Sequence, residues 1–162
     1  MILIGLGSSL PFCGAQPQET VRLAMAAIAG FAPVERASRL YRSPAWPDPA
    51  DPPFVNAVIA VRTGLGPAAL LAALHDVEAA FGRRRSARNA PRTLDLDLLA
   101  YDGFVSKGAE GGLSLPHPGL PDRDFVLAPL CDIAPDWTSP VSGRTARAML
   151  AALPTRSAIP IE

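Results

Sequence analysis

The stretch that decides the fold is residues 93–101, which read TLDLDLLAY. Its first half alternates strictly, with leucines on one side and Asp95 and Asp97 on the other. Side chains alternate between the two faces of a β-strand, so this pattern predicts a strand whose apolar face covers a core. The two carboxylates then point the same way, about 6.5–7 Å apart along the chain. The stretch therefore predicts both a strand of a sheet and a pair of acids on its other face.

The segments around this strand alternate between short apolar runs and helical patterns. Apolar runs predict strands, and apolar residues at helical spacing, with a proline near the start or a glycine at the end, predict helices. The order β-α-β-β-α-β predicts an α+β fold of the ferredoxin-like class, with a mixed or antiparallel sheet, helices packed on one face and long loops around an active site. The predicted strands are 1–6, 34–42, 54–63 and 93–101, the helices are 18–30, 67–82 and 144–153, and a short element at 123–133 packs back on the sheet.

Length and composition limit the class of protein. The 162 residues suffice for one domain with its own apolar core, and we expect residues 1–162 to form it. Fifteen basic residues balance fifteen acidic ones, which argues against disorder and against a surface that generally seeks nucleic acid. No apolar run has the length of a signal peptide or a membrane span, so we expect a cytoplasmic protein. Cys13 and Cys131 are far apart and histidines are few, so neither a disulfide framework nor a zinc site is expected.

Asp95 and Asp97 are the residues best suited to holding a metal ion. Two close carboxylates repel each other unless a cation lies beside them. Mg²⁺ binds carboxylate oxygens and keeps positions open for water and phosphate, so the pair fits a magnesium–nucleotide site. The alternative is an edge strand with a solvated acidic face, and from the tripeptide alone this alternative is favoured.

A dense group of arginines precedes the acidic strand. Residues 83–92 contain five arginines and no acid. Guanidinium groups bind phosphate oxygens through paired hydrogen bonds and stay charged. A solvated charged loop is the alternative interpretation. The position of the group next to the two acids favours a clamp on a triphosphate, because cations that stabilise transferring phosphoryl groups lie near the metal-binding acids.

Other polar and aromatic residues are weaker candidates. The opening GLGS at 5–8 matches neither common phosphate-binding glycine motif and predicts a turn at a strand end. His117 lies between two prolines, where a ligand contact and a structural hydrogen bond are equally plausible. Asn56 lies among apolar strand residues. Its amide either forms hydrogen bonds with the edge of a planar heterocycle or faces water at a strand end. Phe54 and Phe125 are core aromatics by default.

Several short motifs recur in a fixed order along residues 3–137. The most specific is PRTLDLDLL at 91–99. The others are GLGS at 5–8, SxxYRSP at 38–44, FVNA at 54–57, ExxxGR at 78–83, PHP at 116–118 and RDFVLxPL at 123–130. In this combination the chain resembles the 6-hydroxymethyl-7,8-dihydropterin pyrophosphokinase family of folate synthesis.

The resemblance implies transfer of a pyrophosphoryl group from ATP to the hydroxymethyl group of the reduced pterin, with release of AMP. It implies two magnesium ions held by Asp95 and Asp97, and Asp97 would also accept the hydroxyl proton. Arg83 and Arg92 would steady the triphosphate and the charge that develops as the bond to the β-phosphorus breaks.

The resemblance also implies two binding regions. In the ATP region, His117 and Arg123 would contact phosphate, and the adenine would be walled by Leu98, Leu113, Ser114 and Leu115. In the pterin region, the ring would lie between Phe54 and Phe125 with Asn56 at its edge, in a pocket lined by Ser43, Pro44 and Trp46.

The chain departs from the family pattern at three positions. Asn89 stands where the family's RWGPRT run has the tryptophan that closes over the pterin, and the loop before it is one residue shorter than in some members. Ser9 replaces the more usual asparagine of the first turn, and Phe54 replaces a frequent tyrosine. Asp95, Asp97 and the arginine before them are unaffected.

We therefore predict a monomeric, cytoplasmic, magnesium-dependent pyrophosphokinase that uses ATP and a reduced pterin, without nucleic acid or membrane partners. Flexible loops at 8–17, 43–53 and 83–92 are expected to close over the nucleotide. The alternatives are a non-catalytic RNA-binding module and a nucleotide-sensing domain. An RNA-binding sheet would need an aromatic strand motif that this sequence lacks, and its net charge is zero.

Overall fold

An antiparallel sheet covered by helices on both faces makes up the fold. The computed structural model describes residues 1–45, 48–83, 90–108 and 112–161. A short 3-10 turn at Leu120–Asp122 precedes the third helix. The strands and helices are β1 (Ile2–Ser8), α1 (Pro17–Ala29), β2 (Val34–Ala37), β3 (Tyr41–Ser43), β4 (Phe54–Val61), α2 (Pro67–Ala80), β5 (Asp95–Tyr101), α3 (Asp124–Ile133), α4 (Ala146–Ala152) and β6 (Ile159–Pro160).

The sheet has the strand order β5-β1-β4-β3-β6, and β2 pairs with β4 next to β3. The strand pairs of the described residues are all antiparallel. Strand β1 lies between β5 and β4, and its mostly buried residues suit a central position. The predicted α+β class is confirmed. The predicted order β-α-β-β-α-β becomes β-α-β-β-β-α-β, because one predicted strand is two, and β6 is an additional strand at the edge.

The predicted strand at 34–42 is two strands, β2 and β3, which pair with successive parts of β4. The break is at Ser38. Its backbone N–H donates to the carbonyl of Val58, and its Oγ accepts from the N–H of Val58. A side-chain oxygen thus replaces a backbone carbonyl in the ladder, so the Val58 N–H keeps an acceptor where the strand is interrupted.

Apolar side chains are buried on both faces of the sheet. On one face α1 and α2 cover a core that includes Ile4, Ile59 and Leu74. On the other face α3 and α4 cover a core that includes Leu3 and Leu127. The prediction that helices pack on one face only is wrong, because β1 and β4 are apolar on both faces and each face needs a cover.

Strand alternation sets which face of β5 carries the acids, because Leu96 and Leu98 belong to the core under α1 and α2. A bulge follows: Ile4 of β1 pairs with Leu98 and Leu3 pairs with Ala100, so Leu99 is an extra residue in β5. Leu99 and Ala100 consequently both belong to the core under α3. The two acids that precede the bulge lie on the α3 side, at the end of β5 that α3 leaves uncovered.

The last residues of the described chain return to the sheet beside the site. Asp124, at the start of α3, accepts hydrogen bonds at Oδ2 from the N–H and Oγ of Ser157 and from the N–H of Ala158. Strand β6 follows at once and pairs with β3. Within the described ranges, no helix combines the length and apolarity needed to cross a membrane.

Candidate active site

Two glycines of β1 form the floor of the candidate site. Gly7 pairs with Asn56 of β4 on one side and with Asp95 of β5 on the other. A Cβ on Gly7 would lie 3.4 Å from Asn56 Oδ1, 3.6 Å from Phe54 Cδ1 and 3.9 Å from Asp95 Cβ. Gly5 pairs with Asp97, and the Leu99 side chain covers its backbone. At Gly7 no side chain of β1 separates the amide and aromatic end on β4 from the acidic end on β5.

Two arginines converge on Asp95. Arg83 Nη1 lies 2.8 Å from Asp95 Oδ1, and Arg92 Nη1 lies 2.9 Å from the same oxygen. These arginines come from the two ends of the arginine segment, residues 83–92, so the chain brings together cations that are nine positions apart in sequence. Arg84, Arg85, Arg88 and Asn89, which the sequence analysis singled out, lie outside the described residues.

His117 and Arg123 flank Asp97. His117 Nε2 lies 3.9 Å from Asp97 Oδ1, and Arg123 Nη1 lies 3.9 Å from Asp97 Oδ2. His117 Nδ1 accepts the N–H of Gly119, which assigns its own N–H to Nε2, facing the acid. Burial raises the pKa of Asp97, with Asp95 acting in the same direction, and burial lowers the pKa of His117. Burial therefore favours the uncharged form of both Asp97 and His117.

Glu78 of α2 is a component that the sequence analysis quoted in a motif but gave no role. It is buried, and its Oε1 accepts the backbone N–H of Leu96 at 2.6 Å and also a hydrogen bond from Arg83. The carboxylate therefore ties α2 to the acidic strand and holds the guanidinium that reaches Asp95. Burial raises its pKa to about 7, against the effects of the Leu96 N–H and of Arg83.

A cavity of about 240 Å³ opens beside Asp97. Four residues predicted for the ATP region line it, and Leu71 of α2, for which no site role was predicted, lines it as well. Leu115, also predicted to wall the adenine, is buried in the core below and takes no part in the lining. The lining residues predicted from sequence are Leu98, Leu113, Ser114 and His117.

The residues predicted for the heterocycle lie at the β4 end of the floor. Asn56 is 5% exposed, and its Nδ2 donates to Ser43 Oγ at 2.9 Å. Ser43 pairs with Phe54 across β3 and β4, so these three side chains share one face. The predicted Phe125 lies at the start of α3 with the Arg123 guanidinium 5.7 Å above its ring. Pro44 is exposed at the end of β3, and Trp46 lies outside the described residues.

The donor set of the site fits Mg²⁺ that also binds substrate phosphates. Within the described residues, no group of three or more His, Cys, Asp or Glu side chains could enclose a metal ion. Mg²⁺ is usually held by one or two carboxylates together with phosphates and waters, and Asp95 and Asp97 supply such a pair. Both carboxylates remain partly accessible, with 25% and 35% of each side chain exposed.

The first of the loops expected to close is folded against the arginine segment. Ser8 Oγ donates to the Thr93 carbonyl at 2.6 Å, and the N–H groups of Ser9 and Leu10 donate to the Arg92 carbonyl at 2.9 and 3.0 Å. Ser8 still belongs to β1, so the turn predicted at GLGS begins one residue later. Ser9 Oγ accepts the Arg92 N–H at 3.0 Å, which gives the residue found in place of asparagine a hydrogen-bonding role.

An α+β sheet that places paired carboxylates, converging arginines and an adjoining cavity at one edge defines a phosphate-transferring enzyme of the nucleotide-using class. Residues 3–135 match the family described as 7,8-dihydro-6-hydroxymethylpterin-pyrophosphokinase. The chain belongs to this family.

Two relatives carry the name 2-amino-4-hydroxy-6-hydroxymethyldihydropteridine pyrophosphokinase. The protein of Synechocystis sp. is 45% identical over 121 residues, which is 75% of this chain and 60% of the relative. The protein of Methylorubrum extorquens is 40% identical over 150 residues, which is 93% of this chain and 91% of the relative. The chain thus spans less than two thirds of the first relative and nearly all of the second.

Solved structures agree on the fold. The wild-type HPPK-DHPS of Plasmodium falciparum superposes with a TM-score of 0.70 over 93% of this chain, at 13% identity. The match covers 44% of that chain, so this chain spans less than half of its length. The family, the enzyme class and the fold predicted from the sequence are confirmed, and the RNA-binding and nucleotide-sensing alternatives gain no support from these matches.

Proposed function

We propose that this protein transfers a pyrophosphoryl group from ATP to the hydroxymethyl group of 6-hydroxymethyl-7,8-dihydropterin, giving AMP and the pterin diphosphate for folate synthesis. The observation that carries the proposal is the arrangement of Asp95 and Asp97 with three arginines and His117 at one end of a glycine floor whose other end holds Asn56. One end suits a magnesium–triphosphate and the other a flat heterocycle with a hydrogen-bonding edge. Membership in the family supports the reaction.

The arginines exchange partners when the nucleotide binds. Arg83 Nη1 and Arg92 Nη1 both pair with one oxygen of Asp95, at 2.8 and 2.9 Å. A triphosphate carries more negative charge than one carboxylate and draws both guanidinium groups toward its oxygens. Their departure leaves Asp95 free to bind a cation. Asp95 and Asp97 would hold two Mg²⁺ ions, which would supply positive charge against the phosphate oxygens.

Asp97 accepts the proton of the pterin hydroxyl. The hydroxyl oxygen forms a bond to the β-phosphorus while the bond from that phosphorus to the α,β-bridging oxygen breaks, and AMP leaves with the electron pair. Burial raises the pKa of Asp97, which makes its carboxylate a better proton acceptor. His117 and Arg123 stand on the same side and stabilise the departing phosphate charge.

The pterin lies at the β4 end of the floor. Phe54 and Phe125 offer faces for stacking on its ring, and the Asn56 amide, oriented by Ser43, pairs with its polar edge. The adenine occupies the cavity lined by Leu71 and Leu98. The floor between these two regions lets the hydroxymethyl group approach the triphosphate.

We further propose that residues 1–162 act as one domain, monomeric and cytoplasmic, on small-molecule substrates and without nucleic acid or a membrane. Helix α4 and strand β6 lie beyond the residues matched by the family, yet they pack on the same sheet, which supports a single unit. Light scattering on the purified protein with and without substrates tests the monomer.

The reaction is tested by mixing the purified protein with ATP, Mg²⁺ and the hydroxymethyl dihydropterin and separating the nucleotides. AMP in a one-to-one ratio with the pterin diphosphate is expected. Formation of ADP, or no AMP above a protein-free blank, would remove the proposal.

Asp97→Ala tests the assigned chemistry. We expect turnover to fall by about a thousandfold or more with the fold intact, because the substitution removes a metal ligand and the proton acceptor together. Asp136→Ala is the matched control, since Asp136 is exposed and pairs only with exposed Arg147 among the contacts described. Near-normal turnover in Asp97→Ala would move the chemistry to other residues.

A further inference from the structure

The loop after β1 contains a tight two-residue turn. Phe12 and Ala15 exchange backbone hydrogen bonds, with N–H to carbonyl distances of 3.0 and 2.9 Å. Cys13 and Gly14 between them have φ angles of +49° and +86°. Positive φ at both central residues is the conformation of a type I′ turn, the connection best suited to a two-residue hairpin. We call residues 12–15 the Phe12 hairpin.

The Phe12 ring packs on the end of α2. Its centroid lies 5.8 Å from that of Phe81 at an angle of 40°, within the range of favourable aromatic pairs. Gly82 follows with φ of +71°, and a Cβ placed on it would lie 2.5 Å from Phe12 Cε2. Glycine at this position therefore ends the helix and lets the ring approach the backbone directly before Arg83.

The same loop holds the other end of the arginine segment. Ser9 and Leu10 donate to the Arg92 carbonyl, and Ser9 accepts from the Arg92 N–H. One short loop thus contacts Gly82 on one side and Arg92 on the other. The two guanidinium groups that leave these ends meet at a single oxygen of Asp95.

We propose that Phe12 is a positioning residue for the reaction: it holds the entry to the arginine segment so that Arg83 and Arg92 meet the triphosphate together. The inference rests on the proposed function for its substrate, and it assigns to Phe12 a role that no site motif includes. Displacement of a phosphate-binding group by about 1 Å can lower the reaction rate by about a hundredfold. The packing of the Phe12 ring at this point is therefore expected to affect the reaction rate.

If Phe12 served only to stabilise the fold, its loss would lower thermal stability and would affect both substrates equally. Phe12 is half-buried and lies on a surface loop, outside both apolar cores. Loss of its ring should therefore change thermal stability little. Loss of the ring should weaken nucleotide binding, because the Phe12 hairpin contacts the segment that carries the two arginines. It should leave pterin binding unchanged, because the pterin binds at the β4 end.

The test compares Phe12→Ala, Phe12→Tyr and the control Phe104→Ala with the wild-type protein. Phe104 is a half-exposed phenylalanine on the turn that follows β5. Steady-state kinetics give kcat and the KM of each substrate. Calorimetry with Mg²⁺ and α,β-methylene-ATP gives nucleotide affinity without turnover, and thermal unfolding gives stability.

We expect Phe12→Ala to raise the KM for ATP and weaken α,β-methylene-ATP binding by about tenfold or more, with the KM for the pterin changed less than about twofold. Phe12→Tyr keeps the stacking face and should retain wild-type values, as should Phe104→Ala. Unchanged nucleotide affinity in Phe12→Ala would overturn the inference. Equal losses for both substrates with a lowered unfolding midpoint would also overturn it, since that result describes general destabilisation.

Failure of the proposed function has a separate signature. If the wild-type protein forms no AMP, the proposed reaction is wrong. Calorimetry then still shows whether Phe12 affects nucleotide binding. If the wild-type protein is active and Phe12→Ala matches it in every parameter, only the inference about Phe12 falls.

Discussion

Glu78 is a buried carboxylate whose single oxygen serves two donors. Oε1 accepts from the backbone of Leu96 and from Arg83, so the residue joins α2, the acidic strand and the arginine that reaches Asp95. Leucine at this position would leave a buried backbone N–H without an acceptor and would remove one of the two carboxylates that Arg83 contacts. We expect Glu78→Leu to lower the free energy of unfolding by about 2–4 kcal/mol, measured by urea denaturation.

Glu78→Gln is the matched variant, because its amide oxygen accepts both hydrogen bonds without the charge. We expect it to remain within about 1 kcal/mol of the wild-type stability at neutral pH. A loss as large as that of Glu78→Leu would mean that the charge, and not the acceptor, carries the stabilisation.

The pH dependence of stability tests the protonation of Glu78. Burial raises its pKa from 4.5 to about 7. Between these values the folded state holds a proton that the unfolded state has lost, so the contribution of Glu78 to stability decreases as the pH rises. Relative to Glu78→Gln, the wild-type protein should be more stable at pH 5 than at pH 8 in urea denaturation. A constant difference between the two proteins would show that the carboxyl is already ionised at pH 5.

Asn56 should contribute to the affinity for the pterin and not to the affinity for the nucleotide. Its amide is buried and oriented by Ser43, and it lies across the floor from the phosphate end. We expect Asn56→Ala to weaken pterin binding by about tenfold or more and to change α,β-methylene-ATP binding less than about twofold, by calorimetry. Ser43→Ala should act in the same direction but less strongly, since it removes only the group that orients the amide. A larger loss for the nucleotide would place the pterin elsewhere.

Residues whose chemistry is unusual for their position could be identified from the sequence. The pair of acids on one strand, and the run of arginines that contains no acid, can be recognised from the sequence alone. Glu78 and Leu71 lie in a regular helical pattern, and nothing in that pattern separates a residue that faces the site from one that faces the core. Only the placement of α2 against β5 distinguishes them.

Among the elements, α3 is the one whose position depends most on a remote segment. Asp124 at its first turn accepts three hydrogen bonds from Ser157 and Ala158, just before β6 joins β3. We expect Asp124→Ala to lower the free energy of unfolding by about 2–4 kcal/mol, because charged acceptors of backbone N–H groups are strong partners.

Amide exchange locates the effect of Asp124→Ala. The N–H of Ile161 donates to the Leu40 carbonyl at 2.9 Å and should exchange faster in the variant, while β1 amides should follow the global change only. Asp122→Ala is the control, since Asp122 is exposed in the turn just before α3. Unchanged exchange at Ile161 would show that β6 is held independently of Asp124.

At the element scale, strand and helix patterns predicted where the elements lie but not where they are interrupted. The run at 34–42 has the composition of one strand, and its division depends on the Ser38 hydroxyl reaching Val58 in another strand. The Phe12 hairpin was expected as part of a flexible loop. Its turn has a glycine at only one of the two positions that need positive φ, so the local sequence signal is weak.

For the whole molecule, two apolar cores share one sheet. Leu74 of α2 is fully buried in the core on one face, and Leu127 of α3 is fully buried in the core on the other. We expect Leu74→Ala and Leu127→Ala each to lower the free energy of unfolding by about 2–5 kcal/mol. Because β1 and β4 contribute to both cores, each variant should unfold in one transition, with circular dichroism and tryptophan fluorescence giving the same midpoint. Separate midpoints would show that the two faces unfold independently.

At this scale the sequence predicted the sheet and its connections, because the order of elements leaves few arrangements. It did not predict cover on both faces. The continuous apolar run of β4, residues 54–61, was the available signal, since a strand that is apolar on both sides is buried on both sides. The pairing of β6 with β3 depends on contacts between residues more than a hundred positions apart, which local patterns do not contain.

Under the proposed function, Gly7 makes β1 a spacer between two substrates. Adjacent strands lie about 4.7–4.9 Å apart, so the backbones of β4 and β5 are about 10 Å apart across β1, and at Gly7 no side chain of β1 enters the space above it. That width is fixed by hydrogen bonds of the sheet and cannot be adjusted by choosing a different charged residue. A single methyl group on Gly7 would stand in the gap, and two molecules could then occupy their places without reaching each other.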